Sequence, residues 1–129
     1  VSVGWCAPYK REFTLLGELK TPTFLIIFRR GEKILKAEML LDTGADCSMA
    51  PRMLADVLGL KLTDGFPISV YWGFGEKSKA YVHKFEFSIT KKPFPIAISE
   101  REDMPFLLGR LGLVGEVDVR LEKEVTCIG

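Results

Sequence analysis

This chain of 129 residues has one histidine, His83. Its three cysteines, Cys6, Cys47 and Cys127, are an odd number and contain no CxxC pair. Zinc-type ligand spacing is therefore absent, and neither metal nor cofactor is expected. The same scarcity weighs against a Ser-His or Cys-His hydrolase, since Ser48 and Cys47 lie far in sequence from His83. Charge of one sign is also lacking: Lys plus Arg number 18 and Asp plus Glu 17, so nothing points to nucleic acid or a membrane surface as a partner. No apolar run approaches spanning length, and Val-Ser-Val-Gly-Trp-Cys at the start lacks the charged and apolar regions of a signal peptide. A soluble protein is expected, with the cytoplasm favoured and the cysteines as inert thiols rather than a structural disulfide.

Apolar residues are plentiful, 47% of the chain, enough for one domain with a real core. Residues 1–22 are irregular by pattern, because Pro8, Gly17 and Pro22 break up Phe13, Leu15 and Leu16. Two readings stay open for them, a flexible tail or an edge strand that docks onto a partner copy. Residues 23–129 read as one continuous domain. Thr23 to Phe28 is rich in β-formers and ends at Arg29-Arg30-Gly31, read as a solvated hairpin tip. Ile34 to Leu41 then alternates, with Leu35, Ala37, Met39 and Leu41 on one face and Lys36 and Glu38 on the other.

Pro51 to Leu58 reads as a short helix, with Gly59 just past its end and Met53, Leu54, Val57 and Leu58 as its apolar face. Phe66 to Trp72 and Ser78 to Ile89 flank a glycine-containing tip at Gly73-Phe74-Gly75. His83 shares a strand face with Tyr81, Phe85, Phe87 and Ile89, so a half-buried, hydrogen-bonded structural histidine is expected there. Phe94 to Ser99 is a short strand that Pro95 should keep away from the sheet centre. Glu116 to Leu121 and Glu124 to Ile128 form a C-terminal hairpin. Short strands at hairpin spacing with one helix indicate an all-β sandwich or barrel.

The chemistry concentrates in Met39-Leu40-Leu41-Asp42-Thr43-Gly44-Ala45-Asp46. An apolar strand delivers a carboxylate at its end, a rigid mount, and Gly44 lets the backbone turn and approach a ligand closely. Taken alone, Asp-Thr-Gly also fits an ordinary Asx-type turn. A second segment, Leu107-Leu108-Gly109-Arg110, follows later in the chain, with the glycine-tipped hairpin between the two.

Together these segments resemble the retropepsin-like aspartic proteases, the single-domain branch of that class, and the helix at residues 51–58 looks more like the cellular relatives than the viral ones. The resemblance implies a retropepsin-like closed β-barrel or sandwich with one short helix and a β-hairpin flap. It implies that Arg110 pairs with Asp46 to brace the loop of Thr43 and Gly44. Ala45, Cys47, Trp72, Gly73, Phe74, Gly75 and Leu107 would contact an extended peptide.

One carboxylate cannot run this chemistry, because one group must deprotonate water while another polarises the carbonyl. The chain has no second Asp-Thr-Gly, and Thr63-Asp64-Gly65 has the wrong order and no apolar approach strand. The expectation is therefore an obligate homodimer with Asp42 of each copy facing across a twofold axis, acting as an aspartic endopeptidase. The alternative is a catalytically silent dimeric module that binds peptides or scaffolds. Leu111 stands where the family often has Asp or Asn, and Gly112 weakens any helical turn after Arg110.

Overall fold

The computed structural model describes residues 5–72, 75–87, 90 and 92–129. Three short strands come first: β1 (Trp5–Pro8), β2 (Lys10–Thr14) and β3 (Gly17–Thr21). β4 (Thr23–Arg30), β5 (Lys33–Leu41) and β6 (Ser48–Ala50) lead into the helix α1 (Met53–Leu58) and a single 3-10 turn, Leu62–Asp64. β7 (Phe66–Trp72), β8 (Glu76–Glu86), β9 (Pro93–Ser99), β10 (Leu107–Leu108), β11 (Val119–Leu121) and β12 (Val125–Ile128) complete the chain. No helix among the described residues is long and apolar enough to cross a membrane.

The main sheet has the order β4-β5-β10-β6-β9-β8-β7. It ends in two different edge strands, β4 and β7, so the described strands form an open, sandwich-like arrangement and not the closed barrel that the sequence also allowed. The β4–β5 hairpin turns through Gly31 and Glu32, and its register runs from Arg30 opposite Lys33 to Thr23 opposite Leu40. Alternation decides which way each residue faces: Ala37, Met39 and Leu41 are buried with Phe24, Ile26 and Phe28 of the neighbouring strand, while Lys36 and Glu38 face water. One apolar cluster joins these residues to Leu54 and Leu58 of the helix, Phe94, Ile96 and Ile98 of β9, and Ile128 at the C-terminus.

The helix buries Leu54, Ala55 and Leu58, while Met53 and Val57 remain exposed, which rotates its expected apolar face by one residue. Only one stripe of a six-residue helix can meet the sheet, and Ala55 is small enough to sit against it. Gly59 closes the helix in the left-handed conformation. Arg30, expected as part of a solvated hairpin tip, instead donates its guanidinium to the carbonyls of Leu58 (3.3 Å) and Gly59 (2.9 Å), satisfying acceptors left free at the helix end.

β9 lies inside the sheet, between β6 and β8, contrary to the expectation from Pro95. The proline is nonetheless tolerated for a simple reason. β6 pairs with Ile96, Ala97 and Ile98 only, so Pro95 occupies the part of β9 that has β8 on one side and nothing from β6 on the other.

The chain ends meet in a separate three-stranded sheet, β1-β12-β11. Here Cys6 lies opposite Cys127, with Cα atoms 4.1 Å apart, and the two form a disulfide. This corrects the expectation of free thiols, and it removes the thiol argument for a reducing compartment. A pairing across 121 residues exists only once the two termini are side by side, which no local pattern announces. Cys47 stays free.

Candidate active site

The candidate site is built where β10 slides between β5 and β6. β10 runs parallel to β5, with Leu107 beside Leu40 and Leu108 beside Leu41, and antiparallel to β6, with Leu107 beside Met49. The chain emerging from β5 at Asp42 and the chain emerging from β10 at Gly109 therefore leave the sheet side by side.

Four hydrogen bonds then strap the two segments together. The Asp42 amide donates to the Leu108 carbonyl (2.9 Å), and the Gly109 amide donates to Ser48 Oγ (2.9 Å). The Arg110 amide donates to the Ala45 carbonyl (3.0 Å), and the Leu111 amide to the Asp46 carbonyl (2.9 Å). The loop also closes on itself: the Ala45 amide donates to the Asp42 carbonyl (3.1 Å), and the Gly44 amide donates to Asp42 Oδ1 (3.0 Å). That last bond fixes one carboxylate oxygen of the half-buried Asp42, while Thr43 and Gly44 are exposed beside it.

Gly109 is required by close approach. A Cβ at this position would lie 2.4 Å from both the carbonyl carbon and the oxygen of Cys47, and 2.9 Å from the amide nitrogen of Ser48. Those are backbone atoms, which cannot swing aside. Ser48 is fully buried, and its hydroxyl serves the Gly109 amide. Its part in the site escaped the sequence reading, which weighed Ser48 only as a nucleophile. The usable signal was a small hydroxyl at the start of a buried strand, in a chain that also carries a separate Gly-Arg segment.

The expected pair forms: Arg110 Nη2 donates to Asp46 Oδ1 at 2.5 Å. Asp46 is 92% exposed and Arg110 about half exposed, however, and an exposed ion pair contributes roughly 0–1 kcal/mol. The four straps, each worth about 0.5–1.5 kcal/mol, outweigh it. The loop is thus held mainly by backbone, with the ion pair as an outer clip.

Cys47 and Leu107, expected on a substrate wall, come together. Both are half-buried against a small second cluster of Met49, Ala80, Ala97 and Met104, alongside Ile68 and Val70 of β7. Burial pushes the Cys47 thiol above its ordinary value, and the negative charge of Asp46 adds to that shift. Ala45 is half-buried in the same loop. β7 and β8 form one continuous hairpin, from Phe66 opposite Val82 to Trp72 opposite Glu76. Gly75 at its tip is exposed with φ +81°. Gly73, Phe74 and the Trp72 side chain, all expected to touch substrate, lie outside the described residues, as do Ser88 and Ile89 of the predicted long strand.

His83 is half-buried, and its Nε2 lies 2.9 Å from the Leu62 carbonyl, which makes that nitrogen the protonated one. The expected structural role is what the ring performs, tying β8 to the 3-10 turn. After Arg110 the chain makes successive turns and no helix, with Gly112 at φ +82°.

No family model matches this chain, and no curated protein matches it. Among solved structures it is similar to a retropepsin-like aspartic protease from Rickettsia conorii, at 19% identity and a TM-score of 0.61. The likeness covers 97% of this chain and 98% of that one. At this identity the comparison speaks to architecture: the chain has a retropepsin-like, mostly β fold with one short helix.

Proposed function

We propose that this protein is an aspartic endopeptidase that works as a homodimer, with Asp42 of each copy supplying half of the catalytic centre. The observation that carries this reading is the mounting of Asp42. It leaves a central strand, one carboxylate oxygen is fixed by the Gly44 amide, and its loop is strapped to Leu108–Leu111 by four hydrogen bonds. Such construction holds a reactive group within the narrow tolerance that catalysis needs. The retropepsin-like fold supports the same reading.

In the proposed mechanism the two Asp42 carboxyls share one proton, because two adjacent carboxylates resist ionising together. The ionised Asp42 takes a proton from a water molecule, whose oxygen attacks the scissile carbonyl carbon. The protonated Asp42 gives its proton to the carbonyl oxygen, forming a tetrahedral diol. Collapse of the diol breaks the C–N bond as a proton passes to the leaving nitrogen. Thr43 of each copy would hydrogen-bond across the axis, and Gly44 would offer backbone groups to the substrate. The β7–β8 hairpin would act as a flap that closes over an extended peptide and excludes water. Ala45, Cys47 and Leu107, with Trp72, Gly73, Phe74 and Gly75 of the flap, would form apolar walls, so cleavage beside apolar side chains is expected.

The test is digestion of a peptide library at mildly acidic pH by wild type and by Asp42→Asn. Loss of about 10²–10⁴ in rate in the variant is expected, the usual contribution of a positioned acid or base. Cleavage that survives Asp42→Asn would sink the mechanism. A well-folded dimer without any cleavage would instead favour a silent peptide-binding module.

A further inference from the structure

The β2–β3 hairpin stands apart from the other sheets of its own chain. Among the described residues its strands pair only with each other, from Lys10 opposite Thr21 to Thr14 opposite Gly17. Phe13 is 88% exposed, Leu15 and Leu16 at the tip are fully exposed, and Leu19 is half exposed. Other large apolar side chains of this chain also reach the surface, but Phe13, Leu15 and Leu16 are the three most exposed among the described residues, and they are gathered on one small projection.

The hairpin is nevertheless anchored firmly. Cys6, just before it, is bonded to Cys127. Tyr9 Oη donates to the Glu122 carbonyl (2.6 Å), Arg11 pairs with Glu124 (2.7 Å), and Lys20 Nζ donates to the Lys123 carbonyl (3.3 Å). Past its other end, the Pro22 carbonyl accepts the Leu41 amide (2.9 Å), one residue before Asp42. The root therefore sits at the Asp42 end of β5, not at the far end where Gly31 turns. A stiff projection with polar contacts to its own chain and unpartnered apolar residues fits an arm that reaches a neighbour.

We infer that the β2–β3 hairpin is a dimerisation arm whose occupant is a second copy of this chain. The inference rests on the protease reading above, which requires a second copy at the Asp42 end, where the arm is rooted. The same end of the molecule offers a receiving surface. Arg110, Leu111, Gly112, Val114, Glu116 and Asp46 line an open hollow of about 430 Å³ beside the loop, with Leu111 and Val114 exposed. In a twofold pair each copy gives an arm and receives one, so both contacts form together. The Leu15–Leu16 tip would cover Leu111 and Val114 of the other copy and bring it against the active-site loop.

The test combines sedimentation equilibrium with peptide cleavage across a dilution series, on wild type, Leu15→Glu/Leu16→Glu and Asp42→Asn. Leu15 and Leu16 make no contact that folding needs, so circular dichroism of the double variant should match wild type. Its dimer dissociation constant is expected to rise by at least about tenfold, as for loss of one interface hot spot. Its activity should fall at low protein concentration and return at high concentration. A second arm of the experiment mixes Leu16→Cys and Val114→Cys copies, both carrying Cys47→Ser, and looks for a covalent heterodimer on mild oxidation. Unchanged dimerisation of the glutamate variant overturns the arm while leaving the protease reading intact. A monomeric wild type overturns it as well. A wild-type dimer that weakens as expected but cleaves nothing supports the arm and removes the protease reading.

Discussion

The strapped loop at Asp42–Ser48 and the β2–β3 hairpin are both turns of backbone at the same end of the molecule, and they are held in opposite ways. In the loop, three backbone hydrogen bonds and one to the Ser48 hydroxyl tie the chain to Leu108–Leu111, and the side chains that matter are small or absent: Gly44, Ser48, Gly109. In the hairpin, anchoring falls to a disulfide and to exposed polar side chains, while the large apolar residues face water. The first construction is complete within one chain. The second leaves Phe13, Leu15 and Leu16 exposed to water among the described residues. The difference teaches that folding alone accounts for the loop, while the exposed apolar residues of the hairpin are left to the proposed assembly.

The largest expected effect is a break in the first construction. In Gly109→Ala the added methyl meets Cys47 backbone at 2.4 Å. Overpacking against atoms that cannot yield costs about 1–3 kcal/mol or more, and here the only relief is to separate the two segments. A lower urea midpoint is expected and, with it, loss of the proposed cleavage at 25 °C. Gly75→Ala is the control: its added methyl meets nothing within 4 Å, so its cost is limited to the positive φ, about 1–2 kcal/mol. If both variants lose equal stability, the close crossing at Gly109 is not what locks the loop.

The strand that delivers Asp42 was legible in sequence because its pattern is local, whereas the straps to Leu108–Leu111 were not. Alternation from Leu35 to Leu41 gave the strand, the face and the delivery of Asp42 at its end, and the hairpin around residues 73–75 was marked by its glycines. The Arg110–Asp46 pair came from resemblance to a family, not from any pattern in this chain. What escaped shares one cause, contact between distant segments. Cys6 meets Cys127 only when the termini pair, Ser48 meets Gly109 only when β10 is inserted, and Arg30 reaches the helix end only through the fold. Pro95 misled in the same way, since a proline signals the absence of a neighbour at one residue and not along a whole strand.

A smaller effect should follow from Ser48→Ala. The variant keeps the volume of the site nearly intact but leaves the buried Gly109 amide without its acceptor, at a cost of about 1–3 kcal/mol. Ser48→Thr, which restores the hydroxyl, tests whether the acceptor or the space is decisive. Recovery of the urea midpoint in Ser48→Thr would point to the acceptor. Equal losses in both variants would mean that the pocket tolerates only serine's volume, and the strap at Gly109 would count for less than its geometry suggests.

The smallest effect concerns the outer clip and tests whether the loop is a backbone structure at all. Asp46→Asn removes an exposed ion pair, so stability should fall by less than about 1 kcal/mol. The same substitution reports on Cys47, whose thiol is raised by burial first and by the charge of Asp46 second. A raised thiol in the folded state means that folding holds this proton more tightly than the unfolded chain does. Stability from this group is therefore full below the ordinary thiol range and declines as pH rises through and above it. In Asp46→Asn the charge goes while the burial remains, so the pH profile of Cys47 alkylation should move down but stay above that of a free thiol. A fall all the way to the free value would mean that the loop had opened and that the clip, not the straps, was holding it shut.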